Sequence, residues 1–317
     1  MSIEDPADPD AFAAEVCWHY FMNEMTQAQI ARLLGVTRLR VNQTIQRARQ
    51  TGMVRIEIDT PHLPRLASQE ALRNRFGLAE ARVVPSHPES YDFHVPTGIA
   101  LAGLISDRLK ANEWRRIGLS WGLTIQAAID RMPSHDRPDI EVISMIGGTS
   151  HGEKFNAFGI ASGLAARLGA SYSLLAAPVF LAPQVDREGF LAQSDFRAHY
   201  EKFGRLDAAV LTCSDISTRS YLVRTGMPDG FEPGALAAAG AVGDVVGRFL
   251  DAEGRPVVTA LNDQTIAIDL DVLRRVPERI LAAAGPHKVP IIRAVLRAGL
   301  ANTLVTDDVT AALLLED

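Results

Sequence analysis

Between residues 25 and 56 the apolar positions recur at helical spacing in two short runs. Ile30, Leu33 and Leu34 form the apolar face of one amphipathic helix, and Val41, Ile45 and Ala48 that of a second. Thr26 and Thr37 stand where N-caps are needed, and Gly35 between them permits a sharp turn. Ala31 is small enough to let the second helix cross close to the first. Two short helices joined by a glycine turn predict a helix-turn-helix. Gly52 ends the second helix, and residues 53–58 alternate in the manner of a short strand, the expected wing.

Residues 61–96 read as a linker carrying one charged amphipathic helix over 66–76, followed by a loop punctuated by Pro85, Pro88 and Pro96. From Thr97 the texture changes. Apolar runs at 117–119, 140–146, 208–212, 280–284 and 303–305 each end in a turn-forming or polar residue and lead into a helical pattern. Continuous apolar strands alternating with helices are the pattern of a parallel sheet covered on both faces. The expectation is an α/β chain: a winged helix-turn-helix over 1–60, the linker over 61–96, and a doubly wound, mostly parallel α/β domain over 97–317. The Ala/Gly-rich stretch 234–247 has helical spacing and reads as a closely packed helix.

Composition narrows the classes. The chain has 317 residues, 47% hydrophobic and 22% charged, which excludes a disordered, collagenous or staple-dependent protein. The most apolar stretch, 174–182, is too short to span a bilayer and contains Pro178. Glu4, Asp5, Asp8 and Asp10 stand where a signal peptide carries positive charge, so a cytoplasmic protein without membrane association is expected. Cys17 and Cys213 lie too far apart in sequence for a zinc cluster or disulfide framework, and both read as buried small apolar residues. The histidines show no metal-ligand spacing, so neither metal nor cofactor is expected.

The net charge of −6 and the pI near 5.8 argue, taken whole, against a nucleic-acid partner. Position reverses that reading. Residues 25–56 hold Arg32, Arg38, Arg40, Arg47, Arg49 and Arg55 without a single acid, a charge of +6, while the rest of the chain carries −12. With a Debye length of about 8 Å in cells, the distant acids do not cancel a basic patch at its own surface. Thr37, Arg38, Arg40, Asn42 and Gln43 fall toward the N-terminal, outward side of the second helix. Arg can fork onto guanine, and Asn or Gln onto adenine, in a major groove. Arg47 and Arg49 suit phosphates. Operator DNA is the expected partner; a solvated basic helix in an interaction module is the alternative.

Ligands of open α/β sheets sit outside the carboxyl ends of the strands. After 117–119 come Ser120, Trp121, Gly122, Leu123 and Thr124; after 140–146 come Gly147, Gly148, Thr149 and Ser150. Such loops can present amides and hydroxyls as an anion cradle, or serve simply as tight turns. Lysine is rare, with four against 28 arginines, and Lys288 lies between a strand-like run and a helix over 289–298. A cation opening a helix opposes the dipole, which suggests an anion partner over a solvated surface lysine. Asp244 either accepts from ligand hydroxyls or caps a helix. Gly118, Ser120 and Gly122 also spell the G-x-S-x-G of a hydrolase nucleophile elbow, with His287 and either Asp244 or Asp263 downstream as triad partners. Too little sheet precedes Ser120 for that fold, but an enzyme acting on esters or sugar phosphates is the alternative function.

Four segments together resemble the SorC family of bacterial sugar-sensing transcriptional regulators. They are MTQAQIARLLGVTRLRV from Met25, Gly147 to Thr149, GAVGDVVGRFLDAEGRPV from Gly240, and AAAGPHKVPIIRAVLRAGLANTLVTDDVTAALL from Ala282. The resemblance implies a winged helix-turn-helix and an effector domain similar to sugar-phosphate isomerases, assembled as a tetramer, a dimer of dimers, that binds a sugar or sugar phosphate without turning it over. It also implies that Lys288, Ser120, Gly122, Leu123, Thr124, Gly147, Gly148 and Thr149 hold the phosphate or its equivalent, with Asp244 near the sugar hydroxyls. Two positions depart from the family pattern. Ala284, Gly285, Pro286 and His287 precede the lysine where two glycines are common, and Thr44 stands at a usually apolar position.

Overall fold

A computed structural model describes residues 8–54, 65–86, 92–149, 156–228, 231 and 233–316. The chain divides into two compact units, Met1–His62 and Leu63–Asp317.

In the first unit, α1 (Pro9–Cys17) runs into a single π-helical turn, Trp18–Met22, and is followed by α2 (Gln27–Leu33) and α3 (Arg38–Gln50). Thr26 and Gln29 form a reciprocal capping box at the start of α2, and the Thr37 hydroxyl accepts from the Arg40 amide at 3.2 Å. Gly35 takes φ +65°, and the Val36 amide donates back to the Ala31 carbonyl at 2.9 Å, a Schellman end to α2. Val16, Ile30, Ala31, Val41 and Ile45 make one small core. Two features differ from the sequence reading. α1 contributes to this core although its pattern gave no helix, and Leu33, expected on the buried face, is 56% exposed. The wing falls largely on residues 55–58, outside the described residues.

The second unit is built on a seven-stranded, wholly parallel sheet. In chain order its strands are β1 (Glu80–Val84), β2 (Arg116–Leu119), β3 (Glu141–Ser144), β4 (Ser171–Ser173), β5 (Ala208–Leu211), β9 (Glu278–Ala282) and β10 (Thr303–Asp307). Their spatial order is β1-β10-β9-β5-β2-β3-β4. Between β5 and β9 the chain adds an antiparallel sheet of β6 (Cys213–Ser214), β7 (Gly243–Val245) and β8 (Arg248–Leu250). The helices His94–Lys110, Leu123–Arg131 and Ala157–Leu168 pack on one another, and Arg65–Phe76, Val289–Arg297 and Asp308–Leu315 pack as another group. β5 and β10 are buried along their whole length, as strands covered on both faces must be.

The sheet unit reaches further toward the N-terminus than the apolar texture suggested. The segment read as linker contains the helix Arg65–Phe76 and β1, which pairs with β10 through Arg82↔Val305 and its neighbours. Pro96 lies in the first turn of the helix beginning at His94, where its missing N–H costs nothing. The 234–247 stretch is helical only over Pro233–Ala238; Gly240, at φ +81°, follows it and β7 begins at Gly243. Val246 and Gly247 both have positive φ, the two-residue turn that joins β7 to β8.

Candidate functional site

The strand order reverses between β2 and β5. The chain moves outward from β2 through β3 to β4, returns to β5 on the other side of β2, and continues outward through β9. This reversal opens a crevice at the carboxyl ends of those two strands. The crevice is spanned by Ser120, whose Oγ accepts from the Thr212 amide at 3.0 Å, while the Thr212 hydroxyl donates to the Trp121 carbonyl. Gly122, at φ +128°, starts the helix Leu123–Arg131 with no side-chain cap, and a Cβ there would lie 3.0 Å from Thr212 Oγ1. The first-turn amides of that helix, including Leu123 and Thr124, therefore face the edge, where partial positive charge favours an anion.

The β3 loop contributes differently from the sequence expectation. The Gly147 amide donates to the Ile266 carbonyl and the Gly148 amide to Ala177, so these N–H groups are committed to backbone and form no cradle. A Cβ on Gly147 would meet the Ala177 carbonyl oxygen at 2.6 Å, which explains the glycine as close packing. The loop's polar offering is Thr149, whose hydroxyl lies 3.2 Å from the Tyr221 hydroxyl; that ring stands edge-on to Trp121. Residue 150 lies outside the described residues.

Lys288 comes to the same edge from β9. It occupies the N-cap position of the helix Val289–Arg297 after a 3₁₀ turn, Pro286–Lys288, and is only 8% exposed. It is thus not a solvated surface lysine. Its Nζ lies 5.3 Å from the Phe93 ring centroid, and among the described residues no carboxylate forms a salt bridge with it. Burial pulls its pKa down, opposed by the fields of Cys213, Asp215 and Asp244. Asp244 lies on β7, not at a helix cap. It is 3% exposed, accepts from Ser214 Oγ at 2.5 Å and from the Gly247 amide at 3.1 Å, and burial pushes its pKa up to about 6. His94 Nδ1 sits 3.0 Å from Thr124 Oγ1, and burial together with nearby Lys288 holds its pKa near 4, so the ring is neutral at pH 7.

These positions bring Ser120, Gly122, Leu123 and Thr124 to the mouth of the crevice, with Lys288 and Asp244 contributed by β9 and β7. Phe93, His94, Thr212, Asp215 and Tyr221 join them, and the sequence reading missed all five. The run Thr212, Cys213, Ser214, Asp215 directly after β5 was the available signal. The elbow alternative loses its geometry: Ser120 is 1% exposed with Oγ engaged by an amide, His287 packs on Phe93 at 5.1 Å, and Asp244 is held by Ser214. Chemically, the edge offers Lys288, which has no carboxylate partner among the described residues, together with hydroxyls and helix-start amides. That set suits an oxygen-rich ligand.

On α3 the candidates separate. Arg38, Gln43 and Arg47 are exposed, but Arg40 lies 5.3 Å from the Phe12 ring and Asn42 accepts from Gln27 Nε2 at 3.2 Å. Thr37 is spent on capping.

A ligand-holding α/β unit joined to a helix-turn-helix defines a ligand-responsive regulator of transcription. Residues 63–316 match the family described as "Putative sugar-binding domain", and the chain belongs to this family of sugar-binding transcriptional regulators. It is similar to the erythritol catabolism regulatory protein EryD of Brucella abortus, at 28% identity over 96% of each chain. It is 29% identical to the deoxyribonucleoside regulator of Bacillus subtilis, covering 94% of this chain and 95% of that one. The crystal structure of the full-length sorbitol operon regulator SorC from Klebsiella pneumoniae superposes with a TM-score of 0.72 at 29% identity, over 96% of this chain and 99% of that one. Each of these relatives is named as a regulator, none as an enzyme.

Proposed function

We propose that this chain controls a carbohydrate or polyol catabolic operon in the cytoplasm, by binding operator DNA through α3 and a sugar or phosphorylated sugar at the β2/β5 edge. The observation that carries the effector site is Lys288, a buried ammonium with no carboxylate partner among the described residues, whose charge acts on His94, the ring 3.0 Å from the Thr124 hydroxyl in the first turn after Gly122. Ser120, Leu123, Thr124 and Thr149 line the anion end, Gly147 and Gly148 only pack the loop that carries Thr149, and Asp244 faces the sugar hydroxyls. The relatives named for sorbitol, erythritol and deoxyribonucleosides support a small polyhydroxylated effector.

Thr37, Arg38, Arg40, Asn42, Gln43 and Arg47 belong to the DNA-binding surface, with Thr37, Arg40 and Asn42 positioning the helix more than reading bases. The division is a winged helix-turn-helix over the first 60 residues or so, and an effector and oligomerisation domain that begins with the helix Arg65–Phe76 and β1 rather than at Thr97. Assembly as a tetramer, a dimer of dimers, presents paired recognition helices to a palindromic operator. The effector shifts the balance between two arrangements of those helices because it binds one more tightly.

Calorimetry of the full chain against a panel of sugars and sugar phosphates tests the site. One member is expected to bind the native protein and to lose at least a hundredfold in affinity on Lys288→Gln, with DNA binding retained. Equal binding by the variant removes Lys288 from the site.

A further inference from the structure

We propose that Leu39 is a specificity-determining residue of the DNA interface, reading a thymine methyl in the major groove in partnership with Gln43. The proposal rests on the DNA-binding reading of α3 and adds to it the base class that the helix selects.

The geometry of α3 sets which side chains lead. Val41, Ile45 and Ala48 are buried and define its inward side. At about 100° per residue, the side chains opposite them are Leu39, Gln43, Gln46 and Gln50. All four are exposed, and Leu39 is 65% so. Two residues that sequence alone offered for base edges are drawn away: Arg40 toward Phe12 and Asn42 toward Gln27. Leu39 and Gln43 therefore stand at the front of the N-terminal half of the helix, the part that recognition helices insert.

An exposed leucine between two arginines does nothing for the core of this unit. In a major groove it has one apolar partner among the base edges, the C5-methyl of thymine. Gln43, one turn further on, suits the N6/N7 edge of adenine. Four residues of helix rise about 6 Å, close to two base steps of about 3.4 Å, so the two contacts fall on A·T pairs about two steps apart. Arg47, exposed on the flank of this ridge, and Arg38, exposed at the first position of the helix, take phosphates.

The test begins with duplexes selected from a random pool by the full-length protein. Each thymine of the selected site is then replaced by deoxyuridine, which removes only the methyl, and affinity is measured for the native protein and for Leu39→Ala. The expected result is about a fourfold loss at one thymine of each half-site for the native protein, the effect of one buried methyl-sized group, and no loss there for the variant. A repeat selection with Leu39→Ala should lose the preference at that base pair alone. If no methyl matters, or if its loss weakens the variant as much as the native protein, the proposal is overturned while DNA binding stands. If Leu39→Ala weakens every duplex equally, the leucine serves folding or contact between copies, and the proposal is again overturned. Failure to select any duplex removes the DNA-binding reading itself and this proposal with it.

Discussion

Lys288, Asp244 and His94 place three titratable groups around one crevice, and two of them respond to acid in opposite senses. His94 has its pKa held near 4 against an ordinary 6.5. Its contribution is fully present above pH 6.5 and is lost as pH falls toward 4, because the unfolded chain takes the proton first. Asp244, raised to about 6 from 3.8, behaves oppositely: its contribution is full below pH 3.8 and is lost as pH rises through 6. Urea midpoints measured at pH 4.5 and 7 should show His94→Gln holding its stability better than the native protein on acidification. Asp244→Asn should hold better on going to pH 7. Each difference is up to about 3 kcal/mol over the full titration. Variants that track the native profile would mean that these groups are not buried as described. Lys288 was legible in the sequence because lysine is scarce and follows a strand, whereas Phe93 and His94 were not, since a loop's preceding residues meet Lys288 only once the sheet is assembled.

Between residues and the whole chain, the elements divide by how local their causes are. α2 and α3 were legible because Thr26, Gly35 and Thr37 are caps and a turn that act within a few residues. β1 was not, because it is a half-buried edge strand in which Glu80 and Arg82 alternate with Ala81 and Val83, so it lacks the continuous apolar run by which the inner strands were recognised. The short β6, β7 and β8 carry too few residues to show a period, so the place of Ser214 and Asp244 beside the crevice was not legible. The committed amides of Gly147 and Gly148 depend on segments more than 25 residues away. The same locality yields a prediction. Nothing lies within 4 Å of a Cβ built at Gly35, so Gly35→Ala tests backbone conformation alone. At φ +65° it should cost about 1 kcal/mol, and Thr37→Ala, by losing the bond to the Arg40 amide, about another 1 kcal/mol. Thermal unfolding followed by helix signal should detect both; an unchanged melting curve for Gly35→Ala would contradict the left-handed turn.

For the molecule as a whole, charge is distributed by task. The +6 of residues 25–56 against −12 elsewhere confines phosphate attraction to one unit, so operator affinity should fall steeply with salt. Replacing Arg38 or Arg47 by Ala should reduce the logarithmic salt slope by about 1 each, and an unchanged slope would place those side chains off the backbone. The sheet unit supplies the other half of the function, since a ligand at the β2/β5 edge can alter transcription only if it binds two arrangements of the molecule unequally. Linkage makes that reciprocal: the effector must change operator affinity by the factor by which operator changes effector affinity. The most direct measurement is operator affinity of the native protein and of Lys288→Gln, with and without the sugar or sugar phosphate that calorimetry selects. The effector is expected to shift the native affinity by at least about fivefold and to leave the variant's unchanged. An equal shift in the variant, or none in the native protein, would contradict the assignment of the effector site to this edge.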